Sequence, residues 1–101
     1  MLLLKARMDG RFPMNPLRVI GTIRKVAGKN DIVISDAGKH KMQTGWYYHV
    51  NKPSTAVVFN GLAPMGGAIP GAIGARLAAP SRDVIVICGD GGFIMCNNEI
   101  Y

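Results

Sequence analysis

Residues 84–92 read VIVICGDGG and carry the strongest structural signal in the chain. A short run of β-branched residues without polar interruption is typical of a strand buried on both faces, as in a parallel sheet. The glycines that follow predict a tight turn at the carboxyl end of this strand, with a helix beginning near Gly92. Ligands of open parallel sheets gather at this end of the strands, so a carboxylate there points to a binding function.

The rest of the chain alternates between segments of strand length and helix length. Strands are also predicted at residues 31–36 and 56–59, and helices at residues 16–27 and 65–79. Pro70 is expected to kink or restart the second helix, while residues 37–53 form a loop or a short helix. This alternation favours βαβ units with helices on both faces of a parallel sheet. The predicted fold class is therefore α/β, a three-layer sandwich of which this chain holds only a part.

Length and composition limit the function classes. The chain has 101 residues, 49% of them hydrophobic and 18% charged, which excludes a disordered protein and indicates one small domain or part of a larger one. No apolar run is long enough to span a bilayer, and the leucines at the N-terminus are interrupted by Lys5 and Arg7 too early for a signal peptide. Cys88 and Cys96 lack metal-binding spacing and are expected to be buried free thiols. We therefore expect a cytoplasmic protein without a membrane partner.

The net charge of +6 falls entirely within residues 1–41. A basic half can attract nucleic acid. These cations, however, are spread singly, without the interleaved aromatic residues that binders of single strands use for stacking. We therefore interpret them as solvated surface and expect no nucleic-acid partner, with a nucleic-acid-binding module as the least favoured alternative.

Three loops follow predicted strand ends and should meet at one edge of the sheet. They read DAGKH at residues 36–40, NGLAPM at residues 60–65 and GDGG at residues 89–92. Asp90 offers hard oxygen ligands of the kind that Mg²⁺ prefers, and Mg²⁺ commonly takes only one or two protein carboxylates together with phosphate oxygens. Gly91 and Gly92 allow close approach of the backbone, and the N–H groups of the following helix favour an anion. The last loop is thus predicted to hold a metal-bound diphosphate, with a plain Asp-Gly turn as the alternative.

The order of three motifs extends this interpretation. DAGKH, then GLAPMGGAIPGAIGA at residues 61–75, then VIVICGDGGF at residues 84–93 resembles the diphosphate-binding domain of thiamine-diphosphate enzymes, and most closely the acetolactate synthase group. The resemblance runs from about Pro16 to the end of the chain. It implies an N-terminal lead-in segment at residues 1–15 and, at residues 16–101, the N-terminal part of a truncated thiamine-diphosphate-binding domain.

The resemblance also implies roles for individual residues. Asp90 matches the metal-binding aspartate, Met65 the apolar residue that supports the bent cofactor, and Met95 a residue near the thiazolium side. Ala63 matches a position where a backbone carbonyl meets the aminopyrimidine, and alanine there is expected to need a negative φ. The implied cofactor-binding residues are Ala37, Gly38, Lys39, His40, Ala63, Met65, Gly89, Asp90, Gly91, Gly92 and Met95, with Asp90 as the metal ligand.

Several of these residues have simpler alternatives. His40 could be a loop histidine without a special role, and Lys39 could be an ordinary surface charge. Met65 and Met95 could be core residues of their helices, because methionine at helical spacing commonly fills a core. These alternatives make different predictions about burial.

As a whole, the resemblance implies part of an enzyme that condenses 2-oxo acids after pyruvate decarboxylation. Its cofactors would be thiamine diphosphate and Mg²⁺, with FAD conceivable in the parent enzyme. The parent is expected to be a homodimer or homotetramer whose activating glutamate comes from another domain, since no catalytic residue of that kind matches here. The chain also ends before the family's second metal ligand, so alone it is expected to be inactive. The alternatives are a 2-oxo-acid decarboxylase of the same superfamily and a non-catalytic remnant that acts as a protein-interaction module.

Overall fold

The computed structural model describes residues 9–100. The first eight residues of the predicted lead-in segment lie outside this range. Within it, no helix is long and apolar enough to cross a membrane. The elements are α1 (Pro16–Val26), β1 (Ile32–Ser35), α2 (Lys39–Tyr47), β2 (Ala56–Val58), α3 (Ala68–Ala78), β3 (Val84–Ile87), α4 (Asp90–Cys96) and a 3₁₀ turn (Asn97–Ile100).

The three strands form one parallel sheet in the order β2-β1-β3. β1 lies in the centre, where Val33 pairs with Ala56 on one side and Ile32 pairs with Val84 on the other. All four residues of β1 are buried, whereas those of β3 are only partly covered. The prediction of an α/β fold with a parallel sheet is therefore confirmed.

Alternate residues of the central strand face two separate cores, because successive side chains of a strand point to opposite faces. On one face, Val33 packs with Ile20 of α1 and with Tyr48, which follows α2. On the other face, Ile32 and Ile34 pack with the alanines of α3. Helices thus cover both faces, which gives the three layers that the alternating pattern predicts.

Two predicted helix starts are wrong. α3 begins at Ala68 rather than Met65, just ahead of Pro70. Pro70 therefore lies in the first turn of the helix. Proline is tolerated there because N–H groups of the first turn have no intrahelical acceptor. α4 begins at Asp90 rather than Gly92, with Phe93 N–H bonded to Gly89 O at 2.9 Å. Residues between 37 and 53 contain α2, the short helix that was one of the two predicted options.

The central strand yields a first prediction. We expect Ile34→Val to lower the free energy of unfolding by about 1 kcal/mol, because Ile34 is only 2% exposed and loses a buried methylene. The same substitution at Ile73 in α3, which is 41% exposed, should cost less than about 0.5 kcal/mol. Urea unfolding of the two variants measures both values, and equal costs would contradict the assignment of β1 as the centre of the core.

Candidate functional site

The loops that leave the carboxyl ends of the strands lie together at one edge of the sheet. We call them the β1 loop (residues 36–40), the β2 loop (residues 60–66) and the β3 loop (residues 89–92). Each loop contacts the other two. The contacts are Gly66 N–H to Asp36 Oδ2 at 2.8 Å, Met65 Cε at 3.0 Å from a Cβ placed on Gly91, and His40 Cε1 at 3.6 Å from a Cβ placed on Gly89.

Asp90 is the first residue of α4 and is exposed at this edge. Its Oδ1 accepts a hydrogen bond from Gly91 N–H at 2.9 Å. The other carboxylate oxygen has no hydrogen bond to any residue from 9 to 100. A carboxylate that is held by one oxygen and exposed at the other suits a divalent cation, which needs a fixed oxygen ligand. Its role as a metal ligand stays a prediction.

Met65 lies in the β2 loop before α3 and reaches the β3 loop. Its terminal methyl group packs against Gly91, since a Cβ on that glycine would lie 3.0 Å away. Half of its surface (50%) is exposed, as is 59% of that of Met95 in α4. Within residues 9–100, neither methionine is part of a buried helix core. An apolar pair at this edge is available to a ligand.

His40 is the last residue of the β1 loop, lies in the first turn of α2 and faces Gly89 of the β3 loop. A Cβ on Gly38 would lie 2.6 Å from His40 Cε1, so only glycine leaves room for the ring. His40 Nε2 is buried and has no hydrogen-bond partner in the described part of the chain. Lys39 beside it is exposed, and Ala37 is half-buried. A buried, unpartnered ring nitrogen at the strand ends favours a binding role for His40 over that of a loop histidine without a role.

The conformation of Ala63 corrects an expectation. Its φ is +41°, in the left-handed region, whereas a negative φ was expected for alanine. The left-handed conformation brings Cβ close to the backbone and costs roughly 1 kcal/mol for a residue other than glycine. Ala63 lies two residues before Met65 in the β2 loop, and the chain adopts this conformation despite the cost.

Asp36 belongs to the site, although sequence reasoning assigned it no role. It directly follows β1 and is 0% exposed. Its Oδ2 accepts the Gly66 N–H, and its Oδ1 has no partner among residues 9–100. The signal available in the sequence was a charged residue placed immediately after a buried strand, where a solvated turn would normally begin.

Cys88 lies between β3 and the β3 loop and is a half-buried free thiol, as is Cys96 in α4. Burial raises the pKa of the Cys88 thiol, and the negative charge of Asp36 raises that pKa further. Cys88 is thus held in the neutral form and is a poor nucleophile at neutral pH. Among residues 9–100, no three histidine, cysteine or acidic side chains are placed together so that they could hold a metal ion.

Comparison with known proteins identifies the family to which the chain is similar. Residues 36–101 match the model of the thiamine pyrophosphate enzyme C-terminal TPP binding domain. The chain is 38% identical over 87 residues to the acetolactate synthase large subunit of Lactococcus lactis, which covers 86% of the chain and 15% of that protein. It is 40% identical over 89 residues to the acetolactate synthase isozyme 1 large subunit of Escherichia coli, covering 85% of the chain and 16% of that protein.

A more distant relative shows the same pattern. The probable acetolactate synthase large subunit of Methanocaldococcus jannaschii is 34% identical over 94 residues, which cover 87% of the chain and 16% of that protein. The chain therefore spans less than a fifth of the length of these relatives. Its parallel sheet, its three strand-end loops and the family match together lead to one conclusion: the chain belongs to the thiamine pyrophosphate enzymes and holds part of their C-terminal cofactor-binding domain.

Proposed function

We propose that this chain is part of an acetolactate-synthase-like enzyme that condenses 2-oxo acids after decarboxylating pyruvate, with thiamine diphosphate and Mg²⁺ as cofactors. The observation that carries the proposal is the meeting of the three strand-end loops at the edge that carries Asp90, in a chain whose relatives are named acetolactate synthases. The names of the relatives favour condensation over a simple decarboxylase. The retention of an exposed, anchored Asp90 argues against a remnant without a site.

The residues at this edge fit a metal-bound diphosphate. Gly89 and Gly91 flank Asp90 and present backbone without side chains, so phosphate oxygens can approach the main chain closely. Asp90 supplies one hard oxygen ligand, and Mg²⁺ takes its remaining ligands from phosphate, water and backbone oxygens. When bound, thiamine diphosphate supplies the carbanion chemistry, while the protein binds and orients it.

The side chains around this edge have distinct tasks in the proposed enzyme. Asp90 holds the cation, and Gly91 N–H keeps that carboxylate in place. Met65 offers an apolar support beside Gly91. His40 Nε2, which is buried and unpartnered within residues 9–100, can hydrogen-bond to a phosphate oxygen, and exposed Lys39 adds a positive charge nearby. A cation and hydrogen-bond donors near a diphosphate stabilise its binding.

The remaining parts of the proposed enzyme come from outside this chain. The glutamate that activates the aminopyrimidine is proposed to lie in another domain, in a homodimer or homotetramer, and FAD would also bind elsewhere. The free thiols of Cys88 and Cys96 suit a reducing compartment, which supports the cytoplasm. The 101 residues alone are therefore expected to bind thiamine diphosphate weakly and to release no carbon dioxide from pyruvate above a cofactor-only control.

A chimaera tests the proposal directly. In it, the matching stretch of this chain replaces its counterpart in the Lactococcus lactis large subunit. We expect the Lactococcus chimaera to form acetolactate from pyruvate only when both thiamine diphosphate and Mg²⁺ are present. The unmodified host enzyme is the positive control, and circular dichroism and gel filtration verify folding and assembly. A folded chimaera that releases acetaldehyde instead would favour the decarboxylase, and one without turnover would favour the remnant.

A further inference from the structure

A buried carboxylate lies at the centre of the three loops. Asp36 is 0% exposed, and a charge in such a place is costly unless it is hydrogen-bonded. Its partner is the Gly66 N–H at 2.8 Å rather than a cation, because no ion pair involves Asp36 in the described residues. The buried carboxylate at the end of the central strand therefore acts through its hydrogen bond and its packing rather than through a salt bridge.

The same oxygen atom touches two loops. Asp36 Oδ2 accepts the Gly66 N–H, and it also lies against Gly92, where an added Cβ would collide with it. That Cβ would be 3.4 Å from Gly66 N. One oxygen therefore joins the end of β1, the β2 loop and the first turn of α4, and Gly92 has to be glycine to admit it.

The two glycines are close in sequence to the two residues proposed to contact the cofactor and the metal. Gly66 directly follows Met65 and has a φ of +82°, which favours glycine. Gly92 lies two residues after Asp90 in the same turn of α4. Asp36 therefore touches the residue that follows the apolar support and a residue in the same turn as the proposed metal ligand.

We propose that Asp36 is a positioning residue. Its buried carboxylate holds Gly66 against Gly92 and so fixes Met65 and Asp90 relative to each other. In this view Gly92 is a glycine because it packs on Asp36, not because the cofactor approaches it. The link between the loops is independent of the ligand, whereas its effect on thiamine diphosphate rests on the proposed function.

The link is tested by a double-mutant cycle on the unfolding of the 101-residue chain. Gly92→Ala should strongly favour unfolding when Asp36 is present, because the new methyl group meets Oδ2. In an Asp36→Ala background Oδ2 is absent. The factor by which Gly92→Ala raises the unfolding equilibrium constant should then be at least tenfold smaller than in the presence of Asp36. Additive effects of the two substitutions would overturn the proposal. If Gly92→Ala does not fold, its recovery by Asp36→Ala supports the proposal and failure of that recovery contradicts it.

The effect on the cofactor is tested in the Lactococcus chimaera by titration calorimetry with thiamine diphosphate at saturating Mg²⁺. Asp36→Ala should raise the dissociation constant at least tenfold, because Gly66 N–H loses its acceptor. Asp36→Asn keeps an acceptor of the same size and should stay within threefold of the original value. Ser35→Ala changes the other fully buried polar residue at this strand end and should have no effect.

The outcomes separate the two proposals. If the unsubstituted chimaera binds no thiamine diphosphate, the proposed function fails, and the unfolding cycle still decides whether Asp36 links the loops. If the chimaera binds the cofactor and Asp36→Ala leaves its dissociation constant unchanged, the positioning role is wrong and the proposed function stands. Equal losses in the alanine and asparagine variants would also overturn the role, because the hydrogen bond to Gly66 would then not be what matters.

Discussion

Replacing Asp90 with alanine should abolish most Mg²⁺-dependent binding of thiamine diphosphate while leaving the fold intact. Asp90 is exposed, and its side chain makes one hydrogen bond among residues 9–100, from Gly91 N–H, so its removal takes little from the core. A divalent cation that loses the Asp90 carboxylate should be held about 100-fold more weakly, equivalent to roughly 2.7 kcal/mol. Titration calorimetry of the Lactococcus chimaera with thiamine diphosphate, at fixed Mg²⁺, measures the change.

Asp83 provides the matched control for this experiment. Asp83 directly precedes β3, whereas Asp90 follows it. Asp83 is exposed, and its one ion pair within the described part of the chain is a 3.7 Å contact with Arg76. Asp83→Ala at the amino end of the strand should leave cofactor affinity unchanged. Asp90→Asn keeps an oxygen ligand without the charge and should fall between the wild type and the alanine variant. Equal affinities for the Asp90→Ala and wild-type chimaeras would show that Asp90 is not the metal ligand.

Replacing Gly38 with alanine should destabilise the chain and disturb the β1 loop. Gly38 has φ +145° and ψ −176°, a region that is nearly exclusive to glycine and costs other residues roughly 1–3 kcal/mol. The new Cβ would also lie 2.6 Å from His40 Cε1 and would push the ring away from Gly89. We therefore expect a lower free energy of unfolding in urea and, in the Lactococcus chimaera, weaker binding of thiamine diphosphate.

Gly45 is the control, because it lies within α2, the helix that Gly38 precedes as its N-cap, and a Cβ added there meets nothing within 4 Å. Alanine in a helix interior is more favourable than glycine by about 0.5–1 kcal/mol, so Gly45→Ala should stabilise the chain. The two Gly→Ala substitutions are thus expected to act in opposite directions. A stabilising Gly38→Ala would contradict the backbone conformation of the β1 loop described above.

The parallel fold could be predicted because its signals are local. The run Val84–Ile87 and the run Ile32–Ser35 are β-branched and uninterrupted, and both are strands in the structure. The start of α3 could not be predicted in the same way. Gly66 and Gly67 are weak helix formers but do not by themselves mark a boundary. Gly66 takes a φ of +82° and donates its N–H to Asp36, thirty residues earlier in the chain.

For the site, too, local features could be predicted from the sequence and contacts between distant residues could not. The residue types that suit a diphosphate, such as Asp90 between glycines, stand side by side in the sequence and could be named from it. The positioning of these residues depends on contacts between distant loops, which a single sequence does not display. Asp36 was missed because its contacts are with Gly66 and Gly92, which are distant in the sequence, and the positive φ of Ala63 has no local sequence signal.

The strand order β2-β1-β3 also has a consequence for how the protein is made. The central strand leaves the ribosome first, but its two neighbours follow later, and Ile32 must wait for Val84 before that side of the sheet can form. Pairings between residues far apart in the sequence are slow and leave strand edges exposed until they are complete. A nascent chain interrupted before Val84 therefore carries the β1 and β2 loops, including Asp36, but has neither β3 nor the loop that contains Asp90.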